Sequence, residues 1–107
     1  MLPEIKSVEE FRQVTGGGKT VVIDFWAAWC MPCKAISPVF DAFAARFPEL
    51  GFYKVNVSEA REVSQEAGIR GLPTFQTYRY GIKLREVAGA NQPKLEEMVK
   101  EASDRKT

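Results

Sequence analysis

An α/β fold is predicted by three features of the chain. A strand apolar on both faces runs into a helical apolar period, a second strand follows that helix, and a hairpin with an amphipathic helix closes the sequence. Val21-Val22-Ile23-Asp24-Phe25-Trp26-Ala27 is the first of these strands. Its apolar residues fall on both alternating faces, which marks it as central and covered by helices on each side. From Cys30 the apolar positions become Ile36, Val39, Phe40, Phe43, Ala44 and Phe47, a helical spacing with Pro38 deleting one backbone bond inside it. Pro48 ends this helix. Phe52 to Val57 reads as the second strand, parallel to the first because a helical crossover joins them.

Local signals define the other elements. Ser7-Val8-Glu9-Glu10 is a capping box for a short helix with Val8, Phe11 and Val14 on one stripe, and Gly16-Gly17-Gly18 ends it. After the second strand, Ser58 is expected to cap a short helix through Ala67, with Gly68 at its C-terminal end. The loop Ile69-Arg70-Gly71-Leu72-Pro73 leads into an antiparallel hairpin, Thr74 to Arg79 and Ile82 to Ala88. Its turn, Tyr80-Gly81, lacks the Asn-Gly or Asp-Gly of the most recognisable two-residue turns. Gly89 breaks the strand, and Pro93 fits the first turn of a last helix that places Leu95, Met98, Val99 and Ala102 on one face. With 107 residues, no repeat and no linker, a single domain over residues 1–107 is expected.

Composition removes several functions. Fifteen Lys and Arg stand against fourteen Asp and Glu, a formal charge of +1, and the basic residues are scattered among acids. The tail Ser103-Asp104-Arg105-Lys106-Thr107 is too short and mixed to serve as a basic arm, so no nucleic-acid partner is implied. The apolar run from Phe25 to Cys30 falls far below the roughly 18 to 20 residues of a membrane span. Residues Met1 to Thr20 carry no apolar signal-peptide core, and the expectation is a cytoplasmic protein. Asn56-Val57-Ser58 matches a glycosylation triplet but ends an apolar run, and is read as chance.

Only two cysteines are present, Cys30 and Cys33, with no histidine. A self-contained zinc site and any Cys-His or Ser-His catalytic arrangement are thereby excluded within one chain. At C-x-x-C spacing on the first turn of a helix, the two sulfurs come within disulfide reach. The first sulfur lies among unpaired backbone N–H groups at the positive end of the helix dipole, which favours thiolate over thiol. Cys30 is therefore the expected nucleophile and Cys33 the resolving thiol, with Pro32 stiffening the loop between them. Bland packing of two small apolar side chains and half of a zinc site shared across a dimer are the competing readings. Asp24, a carboxylate inside an apolar strand, is either a proton carrier with a raised pKa or a hydrogen-bonded structural acid. Lys54 is either its partner or an ordinary strand lysine.

The segment Asp24-Phe25-Trp26-Ala27-Ala28-Trp29-Cys30-Met31-Pro32-Cys33-Lys34 resembles the active-site stretch of thioredoxins. Lys54, Gly68-Ile69-Arg70-Gly71-Leu72-Pro73-Thr74, Gly81 and Gly89 also stand at thioredoxin-like positions, so the likeness covers nearly the whole chain. The family implies a central mixed sheet of four to five strands flanked by about four helices. It also implies reduction of protein disulfides through a Cys30-Cys33 dithiol-disulfide cycle, with a flavin-containing thioredoxin reductase as electron source, and no metal or tightly bound organic cofactor. The resemblance places Asp24 behind Cys33 as the base that takes its proton, makes Leu72-Pro73 cis where the sequence alone favours trans, and uses that loop to hold the substrate chain. Trp29, Met31, Gly71, Leu72, Pro73 and Gly89 then form the docking patch for disulfide-containing client proteins, where the plainer reading is scattered exposed hydrophobes. Trp26 packs beneath. Met31 departs from the family's usual Gly, so a modest change of reduction potential is expected, with Met31, Pro32 and Lys54 as tuning residues. The rival functions are a redox-inactive binding module and a more oxidising, isomerase-like protein. A monomer is expected.

Overall fold

The computed structural model describes residues 1–104, and the end of the mixed-charge tail, 105–107, lies outside the described residues. Helix α1 (Val8–Gly16) precedes strand β1 (Val21–Trp26), helix α2 (Met31–Arg46) and strand β2 (Gly51–Asn56). Helix α3 (Arg61–Ala67), strands β3 (Thr74–Arg79) and β4 (Ile82–Ala88), and helix α4 (Gln92–Asp104) complete the order. The four-stranded sheet runs β2-β1-β3-β4, with β1 parallel to β2 and antiparallel to β3. Residues Pro3 to Ile5 lie along β2 through Ile5 N–H to Lys54 O (2.8 Å) and Lys54 N–H to Pro3 O (3.0 Å), a single bridge rather than a fifth strand.

Alternation along β1 divides the core. Val21, Ile23 and Phe25 pack with Phe11 of α1, Val63 and Ala67 of α3, and Val55, while Val22 packs with Ile36, Phe40 and Phe43 of α2 and Leu95, Met98 and Val99 of α4. The central strand is thus covered on both faces, the arrangement its unbroken apolar run requires. Phe40, fully buried, joins α2 to the sheet through ring contacts with Phe52 (5.3 Å) and Phe75 (5.7 Å). Pro38 lies inside α2 and has no N–H for the Lys34 carbonyl one turn back. No helix among the described residues is long and apolar enough to cross a membrane.

Several local expectations need correction. The Ser7 box forms with a shift: the Glu10 N–H donates to Ser7 Oγ (3.1 Å), but the Glu10 carboxylate accepts from the Lys6 N–H (2.8 Å) instead of reaching the cap itself. Ser58 does not cap α3. The helix starts later, from Ala60 without a side-chain cap, and Asn56 Oδ1 instead accepts the Ser58 N–H (3.0 Å) to close the preceding turn. Strand β1 ends at Trp26, one residue short of expectation, and β2 begins and ends one residue early, at Gly51 and Asn56. Hairpin boundaries agree with expectation, and the turn is tight despite its sequence, with Tyr80 and Gly81 both at positive φ (53° and 77°). Tyr80 is held there by its N–H to Gly17 O and the Gly81 N–H to Thr15 O, both 2.8 Å. A register shift at Thr77/Tyr78, one that alternation does not signal, interrupts β3–β4 pairing.

Replacing Phe40 with Ala removes the ring that couples α2 to the sheet, and a loss of about 3–5 kcal/mol is expected. Urea unfolding of the oxidised protein checks this. A loss below about 1 kcal/mol would show that the site helix is held by other contacts.

Candidate active site

Strand β1 delivers the chain to its end beside α2, where the Cys30 N–H donates to Ala27 O (3.1 Å) and turns the backbone into the helix. Cys30 is the N-cap of α2, and its Sγ accepts the Cys33 N–H at 3.2 Å. A helix leaves its first N–H groups without internal acceptors, and their partial positive charge stabilises an anion at this point. Pro32 occupies the first turn, where a missing N–H removes nothing from the helix. Cys30 and Cys33 are joined in a disulfide with Cα atoms 5.3 Å apart. Both cysteines are buried, Cys30 5% and Cys33 2% exposed, and the pair meets the open surface on the side that Cys30 lines.

That side is an open groove of about 550 Å³, walled by Trp29, Cys30, Met31 and Pro32 against Val57, Ser64 and the loop Ile69-Arg70-Gly71-Leu72. Trp29 and Met31 are about 70% exposed (71% and 69%), and the Trp29 indole is steadied by its Nε1–H to Ser58 Oγ (3.2 Å). The Leu72-Pro73 peptide is cis, and Pro73 itself is buried. Gly89, at φ 93°, does not line the groove but donates its N–H to Pro73 O (2.8 Å), tying the end of β4 to the cis loop.

Behind the disulfide lies a second cavity of about 120 Å³, lined by Asp24, Trp26, Cys33, Lys34, Ser37 and Lys54. The volume accommodates water, and the walls carry polar groups to bind it. Asp24 is 2% exposed and its Oδ1 has no hydrogen-bond partner. Burial pushes its pKa up from 3.8 to about 7, against the pull of Lys54 and with the repulsion of Glu4 and Asp41. Of the two readings of Lys54, the direct pairing with Asp24 is not formed. Lys54 Nζ instead donates to Ser37 Oγ (2.9 Å) and pairs with Asp41 Oδ1 (3.2 Å), so it acts on Asp24 only through space. Trp26 packs against Ala27, Cys30 and Cys33, and its indole N–H interacts with the Glu4 carboxylate without a hydrogen bond of ordinary geometry. Burial raises the pKa of Glu4, with Trp26 and Lys54 pulling it down.

The two cavities meet at the disulfide, with Cys30 facing the groove and Cys33 the buried acid. Glu4, Ser37, Asp41, Ser58 and Arg70 were not placed at the site from the sequence. For two of them a signal exists: Cys33, Ser37 and Asp41 recur every four residues and so form a polar stripe on one face of α2.

A redox disulfide closing the first turn of a helix, open to an apolar groove on one side and a buried carboxyl on the other, defines a thiol-disulfide oxidoreductase. The thioredoxin family profile matches residues 3–101. A thioredoxin of Malassezia sympodialis is 48% identical over 101 residues, covering 92% of this chain and 96% of its own. A thioredoxin of Coprinus comatus is 43% identical over 104 residues, 95% of this chain and 98% of its own. The crystal structure of the Malassezia sympodialis protein superposes with a TM-score of 0.92 at 46% identity, over 95% of this chain and 93% of that one. The chain belongs to the thioredoxin family.

Asp24 makes the fold's stability depend on pH. Its folded pKa, about 7, lies above its ordinary 3.8, so between these values the folded state binds more protons and stability falls as pH rises. The span amounts to on the order of 4 kcal/mol. Asp24→Asn is expected to remove this slope: relative to wild type, the oxidised variant gains several kcal/mol at pH 8 over its standing at pH 4. Urea unfolding at the two pH values measures it, and a difference that does not change with pH contradicts the buried-acid reading.

Proposed function

We propose that the chain acts as a single-domain, monomeric carrier that reduces disulfides of client proteins in the cytoplasm and is recharged by a thioredoxin reductase. One observation carries the order of attack: the Cys30 sulfur, alone of the two, accepts a helix N-terminal N–H and borders the open groove. Thiolate Cys30 attacks one sulfur of a client disulfide, forming a mixed disulfide and releasing the first client thiolate. Cys33 then loses its proton to Asp24, directly or through water in the cavity, and its thiolate attacks Cys30 Sγ. The client leaves with its second thiol, and the two electrons of the dithiol have passed to it. Reduction of Cys30-Cys33 by the reductase completes the cycle.

The remaining roles follow from position. Trp29, Gly71 and Leu72 hold an extended client segment in the groove, with Pro73 and Gly89 fixing the loop that presents its backbone. Met31 and Pro32 tune the potential from the first turn of α2, and Lys54 does so from beneath. The compartment is supported by cysteine usage: the two thiols are spent on the site, and no disulfide framework braces the fold.

Cys33→Ser is expected to accumulate mixed disulfides between Cys30 and client proteins, and Cys30→Ser to abolish both turnover and trapping. Non-reducing electrophoresis of proteins captured on the variants, followed by mass identification of the linked cysteine, reads the outcome. Trapping through Cys33 in the Cys30→Ser variant at a comparable level would reverse the assignment.

A further inference from the structure

Lys54 is the cross-strand neighbour of Asp24 in the parallel β1–β2 register, where side chains on one face of a sheet meet. An ion pair between them is therefore within reach of the backbone, yet the ammonium, on a side chain that lines the same cavity as Asp24, is held by α2 instead. It donates one hydrogen to Ser37 Oγ (2.9 Å) and forms an ion pair with Asp41 Oδ1 (3.2 Å), both on α2, while Asp24 Oδ1 accepts nothing. The choice has a physical reason. The Asp41 side chain is 54% exposed and keeps its hydration, so an ion pair there costs less desolvation than one with Asp24, which is 2% exposed.

We propose that Ser37 and Asp41 are positioning residues that tether the Lys54 ammonium to α2 and withhold it from Asp24, so that the proton affinity of the buried acid is set by the helix that carries the cysteines. This inference rests on the assignment of Asp24 as the acceptor of the Cys33 proton. An ammonium moved onto Asp24 favours its ionised form and lowers its proton affinity. A base works best with a pKa near the working pH, so the release of Lys54 weakens the group that must take the thiol proton. The groups facing Asp24 are Lys54 from β2, Glu4 from the amino-terminal segment, and Asp41, Lys34 and Cys33 from α2, while its β3 neighbour, Phe75, carries no charge. Glu59 acts one step removed, through Glu4.

The test is a carbon-13 NMR titration of the Asp24 carboxyl in the oxidised protein, where the cysteines do not ionise. Ser37→Ala with Asp41→Asn is expected to weaken its proton affinity by about tenfold, more than the same pair does in a Lys54→Met background, where only the direct repulsion of Asp41 is lost, and Ser37→Ala alone by less. Ser37→Thr, which keeps the hydroxyl, is expected to return the midpoint to the wild-type value. In a Lys54→Met background Ser37→Ala is expected to do nothing, because the tethered group is gone. An unchanged midpoint in the double variant, or a Ser37→Ala effect that survives without Lys54, overturns the tether. If the midpoint falls as expected while the pH profile of mixed-disulfide release does not move, the tether stands and the assignment of Asp24 as the base fails.

Discussion

The first turn of α2 offers backbone N–H groups that no helical carbonyl can accept, and the Cys30 sulfur takes the one from Cys33 at 3.2 Å. The strand end, the packing of the helix and Pro32 all serve that contact. β1 must stop at Trp26 for the chain to turn through Ala27 into the N-cap, and Phe40 must pin α2 to the sheet so that the turn keeps its place. Pro32 suits the same turn because the N–H it lacks would have had no helical partner. The proposed chemistry is local: a sulfur that, once reduced, is favoured as an anion by dipoles fixed before any substrate arrives.

The second sulfur has the opposite surroundings. Cys33 sits one turn deeper, against a cavity whose acid has its pKa pushed up to about 7 by burial. An isolated buried carboxylate is destabilising, and a fold selected for stability alone would place an apolar residue at Asp24. In the proposed resolving step the same burial supplies a proton acceptor with a pKa near the working pH, which a solvated carboxylate cannot be. The asymmetry between the two cysteines is thus one of environment: a helix terminus with a groove for one, a buried acid for the other.

Much of this was legible in the sequence because two periodicities dominate it. The run Val21 to Trp26 admits only a strand covered on both faces, and Ile36, Phe40 and Phe43 fall on one side of a helix, so the junction at Cys30 could be placed before any coordinates. The hairpin was bounded by Pro73, Tyr80-Gly81 and Gly89. What could not be read were choices among equivalent partners. Asn56 and Ser58 are both capable turn-closing side chains, and only the path of the chain gives the role to Asn56. Lys54 can reach across the sheet or up to the helix, and the sequence carries no term for the hydration that favours Asp41. Glu4 enters the site because Pro3 to Ile5 lie along β2, a pairing three residues long that leaves no pattern of its own.

The proposed cycle requires helix-terminal N–H groups to make Cys30 an anion near neutral pH. The pH dependence of alkylation of the reduced protein, with each cysteine followed separately by mass spectrometry, measures this. Cys30 is expected to react first, with a midpoint well below the ordinary thiol value of about 8.5. A midpoint at or above that value, or Cys33 reacting ahead of Cys30, would contradict it.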